Sequence, residues 1–250
     1  KIINVIDKRQ IYPQELGRLA LKTLGFEKQA KNYHHLAYGV VYLSPLTAKK
    51  LGVDVSDSKA FYAMAGRKGI GIKIADLLDL LVSKIENERK DKQLNTEKGM
   101  ATSLDVAIGA IRHYMLKYNS NSSVVFDYEQ ALALRGNTGV YLQYSHARAS
   151  GILKKGGKFI PLVNKEEDLN NCELSMVKLL SYWPEIITRS VNNLSIAEIA
   201  DYAFKLSAMF HSFYETNPVL KSKTKIKNFR LTLVLAYKIV IAEVLSILGI

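Results

Sequence analysis

Cysteine and proline are scarce in this sequence, whose 250 residues include one cysteine and five prolines. The single Cys172 cannot form an intrachain disulfide, which excludes a disulfide framework and a cysteine metal cluster. This cysteine usage favours a reducing compartment, by default the cytoplasm. Repeats and low-complexity tracts are also lacking, and a composition of 48% hydrophobic and 23% charged residues excludes disorder and a collagen-like chain. The sequence therefore predicts a globular protein with one or two cores.

Acidic residues are too few to balance the basic ones. The chain has 23 Asp and Glu residues against 35 Lys and Arg residues, which gives a formal net charge of +12. This excess carries no information about the fold, but it predicts attraction to polyanions, either nucleic acid or an anionic membrane surface.

Export and membrane signals are not evident at either end of the sequence. The chain opens without Met or a leader pattern, directly in the apolar run at residues 2–6, so we expect it to be part of a longer protein. The run at residues 231–250 is strongly apolar, but Lys238 and Glu243 interrupt it with charges that are costly inside a bilayer. We predict a buried amphipathic helix there and no membrane partner.

Strand and helix patterns alternate only in the first third of the chain. A β-rich run at residues 2–6, a helical pattern at 13–24 and a β-rich run at 36–43 predict a βαβ unit of a parallel sheet. After Glu97 strand patterns nearly vanish, so we predict an α/β part at residues 1–96 followed by an all-α part at 97–250. The predicted helices, the fourth of them kinked or divided by Pro184, span about residues 102–118, 127–134, 138–153, 173–190, 195–216 and 224–248.

A basic, glycine-rich loop is predicted at residues 64–71. Its three glycines let the backbone approach a ligand, and Arg67 and Lys68 can neutralise phosphate oxygens. The loop lacks the residue order of a P-loop. A nucleotide-phosphate loop and a helix-capping turn both fit this pattern.

Aromatic and cationic residues share one face of the helix predicted after Gly136. At about 100° per residue, Tyr141, Tyr144 and Arg148 fall on one stripe, whereas His146 points away from it. The stripe suits an unpaired nucleic-acid strand, because bases stack on tyrosine rings and on guanidinium planes. The alternative is a pair of core tyrosines beside an Arg148 ion pair.

The remaining basic clusters and the histidines carry weaker signals. Lysine-rich segments at residues 154–158 and 221–230 either add phosphate attraction that is independent of nucleotide sequence or form ordinary solvated surface. The histidines lack carboxylate partners at metal-ligand spacing, and we interpret all of them as structural. They are His34, His35, His113, His146 and His211.

Five segments occur in the order in which they are found in arginyl-tRNA synthetases, and together they span nearly the whole chain. The string at residues 136–148, GNTGVYLQYSHAR, is the most specific of them, and the basic loop is similar to the archaeal form of the signature loop. The chain thus resembles the C-terminal part of an arginyl-tRNA synthetase. The segments are Val5–Gln10, Met64–Gly69, Gly109–Tyr114, Gly136–Arg148 and Phe213–Leu220.

The resemblance implies a class I synthetase, which makes arginyl-adenylate from arginine and ATP with Mg²⁺ and then esterifies tRNA(Arg). It implies a fold in which the C-terminal part of a nucleotide-binding (Rossmann-like) parallel-sheet domain precedes an anticodon-binding α-helical bundle. The N-terminal half of the active site would be missing, so we expect that the chain alone binds tRNA but does not activate arginine. We also expect the chain to be a monomer. A non-catalytic RNA-binding paralogue and a helical protein-interaction module remain alternatives.

The resemblance also assigns roles to individual residues. Gln10 would contact the bound arginine, and Arg67 and Lys68 would act on the ATP phosphates. Ala65 stands where a serine is usual in the loop and Gly66 where many class I enzymes carry its second lysine, so which cation meets the phosphates stays open. The other ATP-binding residues would be His35, Gly39, Met64 and Gly66, and the anticodon-binding residues would be Tyr141, Tyr144, Arg148 and Tyr214.

Overall fold

The structure is a computed structural model, and it describes residues 1–63, 73–91, 102–163 and 169–250. Tertiary contacts divide the chain into two compact units. The first contains residues 1–76 and 118–127, and the second contains residues 77–117 and 128–250. The boundary predicted after residue 96 falls outside the described residues and stays a prediction, and so do the roles of Met64, Gly66, Arg67 and Lys68.

The first unit begins with the predicted βαβ arrangement. Strand β1 (Ile2–Asp7) pairs in parallel with β2 (Tyr33–Tyr38), with Ile2 opposite Tyr33 and Asp7 opposite Tyr38. Between the two strands lie a 3-10 helix (Lys8–Gln10), α1 (Ile11–Thr23) and the short α2 (Glu27–Lys31). The βαβ unit is therefore confirmed, with α1 starting two residues before the predicted helix.

The β-rich run predicted at residues 36–43 is two strands rather than one. After β2 the chain turns at the buried Gly39, where an added Cβ atom would lie 2.1 Å from the carbonyl oxygen of Ser122. Only glycine permits this close approach. The chain leaves the first sheet at this residue and continues as β3 (Val41–Leu43) in a second sheet. The helix α3 (Pro45–Lys50) follows, capped by the Ser44 hydroxyl.

The second sheet contains two short strands that the sequence analysis did not predict. It has the order β4 (Tyr62–Ala63), β3, β5 (Val124–Phe126), and β5 pairs in parallel with β3. The expectation of an all-α part after residue 97 is wrong at β5. Three residues are too few to show an alternating pattern, and the strand depends on pairing with residues about 80 positions earlier in the chain.

The second unit is helical in the described residues. The predicted helices are confirmed in order, although the one expected at 127–134 is a single turn and the one expected at 173–190 is divided beside Pro184. The helices are α4 (Ile74–Asp91, whose first turn belongs to the first unit), α5 (Ser103–Leu116), α6 (Tyr128–Ala131), α7 (Gly139–Gly156), α8 (Asn171–Ser181), α9 (Trp183–Asn193), α10 (Ala197–Thr216) and α11 (Thr224–Leu248).

The core of this unit lies where α7, α10 and α11 pack together. The Tyr237 ring of α11 stacks on Phe210 of α10 at a centroid distance of 4.0 Å. Its hydroxyl is hydrogen-bonded to Ser145 of α7 and, at 3.1 Å, to Ser207 of α10, so one buried group links all three helices.

The helix α11 is long and apolar enough, by composition alone, to cross a membrane. One face of this helix is nevertheless part of the protein core: Leu231, Val234, Tyr237, Ile241 and Val244 are fully buried, whereas Ile226, Ile239 and Ile247 are exposed. The buried face agrees with the predicted amphipathic helix.

Candidate nucleic-acid interface

The turn before α7 fixes where its aromatic residues lie. The Thr138 hydroxyl accepts a hydrogen bond from the Tyr141 amide at 3.2 Å and donates one to the Ala133 carbonyl at 2.7 Å. At Gly139 an added Cβ would lie 2.2 Å from the Gly109 carbonyl oxygen, so α7 approaches α5 more closely than any other residue permits. The start and the packing of α7 are therefore both set by the local sequence.

Two tyrosines of α7 lie against a histidine of α10. The imidazole of His211 stacks with Tyr141 at a centroid distance of 5.0 Å and lies nearly parallel to Tyr144 at 6.2 Å. Tyr141 also contacts Phe204, two turns earlier on α10, at 5.9 Å. The stripe predicted on α7 thus faces α10.

The guanidinium of Arg148 lies among the same rings. Its Nη1 donates a hydrogen bond to Nδ1 of His211 at 2.8 Å. Its central carbon is 5.4 Å from the ring centroid of Tyr144 and 5.1 Å from that of Tyr214, within the range of cation–π attraction. We call this group of five residues, Tyr141, Tyr144, Arg148, His211 and Tyr214, the aromatic–arginine cluster.

The cluster is partly open to solvent. Tyr144 is 53% exposed, whereas Tyr141, Arg148 and Tyr214 are half-buried. Burial raises the pKa of Tyr141, and the charge of Glu215 adds to this rise while Arg148 opposes it. The alternative of two sealed core tyrosines therefore does not describe Tyr144, and one buried edge of the cluster supports an exposed one.

A pocket of about 420 Å³ adjoins the cluster on the side of Arg148 and Tyr214. Its far wall is the loop between α10 and α11, and an ion pair holds that loop in place. Arg230 pairs with Glu173 at 2.8 Å and donates to the Pro218 carbonyl and the Ser222 hydroxyl, both at 3.1 Å. The pocket is lined by Arg148, Tyr214, Glu215, Pro218, Val219, Leu220 and Lys221.

Positive charge lies in one wall of this pocket and at the start of α11, and Glu215 is the one acidic residue among the pocket's lining residues. Lys221, Lys223 and Lys225 are all exposed, and Lys221 forms part of the pocket wall. A flexible ammonium group at such a position attracts phosphate without selecting a base. The arrangement therefore combines stacking surfaces, a guanidinium and mobile cations in one helical unit.

The candidate residues of the first unit lie along the parallel pair β1 and β2. Gln10 is exposed at the end of the 3-10 helix that follows β1, and Gly39 directly follows β2. Both therefore come after the carboxyl ends of parallel strands, which is where such sheets bind ligands. His35 is within β2, and its Nε2 lies 3.0 Å from the Ile6 carbonyl oxygen.

An ion pair shapes the turn between β1 and Gln10. The Arg9 guanidinium makes two hydrogen bonds to Asp7, of 2.9 and 2.7 Å, and the Asp7 carboxylate also accepts from the Arg9 amide. These bonds lower the pKa of Asp7 to about 2. The carboxylate thus stays ionised at neutral pH and is engaged in holding the turn.

The sequence analysis missed His211, which it interpreted as a structural histidine. Its spacing from Tyr214, three residues apart on one helix, places both on one face and is the signal that could have revealed it. The other helical histidines lie elsewhere: burial and Lys238 lower the pKa of His146, and the fully buried His113 donates to Asn137 Oδ1 at 2.6 Å. Among the residues described, no group of three or more His, Cys, Asp or Glu side chains could hold a metal ion.

Comparison with known proteins shows what the chain is similar to. Residues 142–250 match the DALR anticodon binding domain. The whole chain is 33% identical to the arginine–tRNA ligases of Thermococcus sibiricus and Pyrococcus abyssi, and it covers 38% and 39% of their lengths. It also superposes on the arginyl-tRNA synthetase of Thermus thermophilus with a TM-score of 0.83 and 28% identity, over 99% of this chain and 40% of that one.

The chain thus spans about two fifths of the length of the relatives it matches. The matched domain contains most of α7 together with α8 to α11, and hence the whole aromatic–arginine cluster except Tyr141. Residues 142–250 of the second unit match the DALR anticodon binding domain, and the chain as a whole is similar to the C-terminal part of the arginyl-tRNA synthetases.

Proposed function

We propose that this chain is the anticodon-binding part of an arginine–tRNA ligase and also supplies the loop that meets the ATP phosphates. The parent reaction joins arginine to tRNA(Arg) at the expense of ATP. The observation that carries the proposal is the half-exposed ring of Tyr144 beside the Arg148 guanidinium, within a domain that matches a family of anticodon binders.

The chemistry of this surface suits the unpaired bases of an anticodon loop. A base that has left its stack can lie on the Tyr144 ring, which His211 supports, or on the guanidinium plane of Arg148, which Tyr214 supports. The exposed lysines at the start of α11 then neutralise the adjacent backbone phosphates. The net charge of +12 supports the same polyanionic partner. We further propose that the chain acts in the cytoplasm and as a monomer.

The first unit takes the roles that the resemblance implies. Gln10 contacts the substrate arginine, and His35 and Gly39 line the adenine site; the positions of Gln10 and Gly39 after the strand ends support this assignment. In the signature loop, Arg67 and Lys68 meet the ATP phosphates beside Met64 and Gly66. ATP enters this reaction with Mg²⁺, and because the described residues contain no carboxylate cluster for that ion, we assign it no ligand here.

A binding titration tests the proposal. The chain is titrated against tRNA(Arg) and against the same tRNA with a substituted anticodon, at one moderate salt concentration. We expect the substituted tRNA to bind more weakly, because a substituted base can still stack on a ring but presents a different hydrogen-bonding edge to the protein, and a good edge contact discriminates by about 1–3 kcal/mol. Superimposable curves for the two tRNAs would contradict anticodon recognition.

A further inference from the structure

His211 contacts three other members of the aromatic–arginine cluster, as Arg148 also does. It stacks with Tyr141 and Tyr144 of α7 and accepts a hydrogen bond from Arg148. Its own ring is half-buried, and its Nε2 atom is fully buried. It therefore sits behind the surface that we propose to bind RNA, where it can reach the RNA only through its neighbours.

The contact with Arg148 fixes the protonation state of the imidazole. A guanidinium has donors but no acceptor, so a hydrogen bond of 2.8 Å to Nδ1 requires that Nδ1 carry no proton. The neutral ring must then hold its proton on Nε2, which has no hydrogen-bond partner among the described residues. If the ring were protonated, two N–H groups and two positive charges would meet at this contact.

Two charged groups among the described residues determine how readily the imidazole takes up a proton. Burial and the charge of Arg148, from α7, lower the pKa of His211, and Glu215, one turn further along α10, opposes this. Tyr141 and Tyr144 are the titratable groups that face the ring from α7. On the core side, Phe210 lies 6.0 Å from the imidazole, and Tyr237 of α11 stacks on Phe210.

We propose that His211 is a positioning residue for tRNA binding: the neutral imidazole holds Arg148 and the two tyrosine rings in the arrangement that accepts a base, and its protonation releases Arg148. This inference rests on the proposed function, because it concerns the same surface. It adds that the binding-competent form of this surface is the one in which His211 is uncharged.

The inference reverses the pH dependence that charge alone would give. RNA is a polyanion, so added positive charge at low pH should strengthen binding. If only the form with neutral His211 binds, the apparent affinity is reduced by the fraction of protein in that form. We therefore expect affinity for tRNA(Arg) to fall by up to about tenfold per pH unit once the pH is below the pKa of His211.

The test measures tRNA(Arg) affinity between about pH 5 and about pH 8 at constant ionic strength, for the wild type, His211→Asn and His146→Asn. Asparagine at 211 can place an amide oxygen near the Nδ1 position and does not titrate, so its affinity should not fall on acidification. His146 is a half-buried histidine of the same unit that faces Lys238, and its variant should keep the wild-type profile. A fall of equal size in wild type and His211→Asn, or a rise in the wild type, would overturn the inference.

A second measurement uses only the wild-type protein, in case the substitution at 211 impairs folding. The pKa of His211 is followed by NMR with and without saturating tRNA(Arg). By linkage, a ligand that prefers the neutral ring must lower this pKa, whereas a nearby polyanion acting through charge alone must raise it. A raised or unchanged pKa contradicts the inference.

Failure of the inference can be told apart from failure of the proposed function. If wild-type protein at about pH 7.5 does not distinguish tRNA(Arg) from the anticodon-substituted tRNA, the proposed function is wrong and the inference falls with it. If the wild type does distinguish the two tRNAs but the pH profiles of wild type and His211→Asn coincide, the proposed function stands and the inference about His211 is wrong.

Discussion

The ring of Tyr144 is 53% exposed and lies at the solvent edge of the contact between α7 and α10. The His211 imidazole stacks on its inner side. Replacing Tyr144 with alanine removes a stacking surface but little buried contact. We expect Tyr144→Ala to weaken binding of tRNA(Arg) by about 1–3 kcal/mol, which is about 5- to 150-fold, while thermal unfolding stays close to wild type. Tyr144→Phe keeps the ring and should keep most of the affinity.

Tyr182 offers a matched control for that change. It is 51% exposed, close to the 53% of Tyr144, and it belongs to the same helical unit. Tyr182 comes three residues after Leu179, whose carbonyl accepts a hydrogen bond from Tyr202 of α10. Tyr202 in turn is nine residues, or about 13 Å along the helix, from His211. Tyr182→Ala should therefore leave the affinity unchanged, and an equal loss in both variants would speak against a specific role of Tyr144.

His113 gives the second unit a dependence of stability on pH. Its side chain is fully buried, and burial, aided by the charge of Lys117, lowers its pKa from the ordinary value of 6.5. As the pH falls through 6.5 the unfolded chain takes up this proton and the folded chain does not, so the free energy of unfolding decreases. The full contribution is present above that pH and is lost progressively until the folded-state pKa is reached.

At about one pH unit below the ordinary value the loss from this group can reach at most about 1.4 kcal/mol. Urea unfolding at about pH 7.5 and about pH 5.5 measures it. His113→Gln can keep a donor to Asn137 without a titrating ring, so the difference between the two pH values should shrink by up to that amount. The same difference in both proteins would show that His113 is not responsible.

At the scale of single residues, helical periodicity was sufficient to predict that Tyr141, Tyr144 and Arg148 share a face. It could not show that this face meets α10, because the contacts to His211 and Tyr214 join positions more than 60 residues apart. A single histidine also has the same appearance in a sequence whether it fills a core or holds a guanidinium. Its spacing from Tyr214 was therefore the one sequence signal for His211, whereas the rings it supports formed a stripe of their own on α7.

Among the elements, the loop between α10 and α11 depends on one ion pair. Arg230 and Glu173 have side-chain exposures of 12% and 6%, and Arg230 also binds two groups of the loop, the Pro218 carbonyl and the Ser222 hydroxyl. Glu173→Gln leaves the arginine charge buried without its counter-ion. We expect the free energy of unfolding to fall by about 3 kcal/mol in chemical denaturation.

A control for this change is the ion pair of Arg189 with Glu185, whose side chains are 52% and 61% exposed. Because solvent screens this pair, Glu185→Gln should cost less than about 1 kcal/mol. If the two substitutions destabilise the protein equally, the Glu173–Arg230 pair does not hold the loop as we describe.

The elements themselves were predictable where their signal is local. Pro184 lacks the amide that a continuous helix needs, and the structure indeed changes from α8 to α9 beside it. The strand β5 has no such local signal, since its three residues become a strand by pairing with β3. The break between β2 and β3 likewise depends on Gly39 meeting the distant Ser122 backbone.

For the molecule as a whole, the net charge of +12 implies that much of the affinity for tRNA comes from phosphate contacts. Lys223, exposed at the start of α11, is placed to make one such contact near the pocket of the cluster. In Lys223→Ala the slope of log affinity against log salt should become shallower by about 0.7–1, since one fewer counterion is released. The ratio of affinities for tRNA(Arg) and for an anticodon-substituted tRNA should not change, because a phosphate contact carries no base information.

Lys178 is a matched control for this prediction, because it is also an exposed lysine of the helical unit. It lies near the end of α8, next to Leu179, and this part of α8 contacts Tyr202 of α10 rather than the cluster. Titrations of wild type, Lys223→Ala and Lys178→Ala with both tRNAs over a series of salt concentrations separate the two contributions. An unchanged slope in Lys223→Ala would remove this lysine from the interface. A changed affinity ratio would instead mean that Lys223 contacts a base, which contradicts its assignment as a phosphate contact.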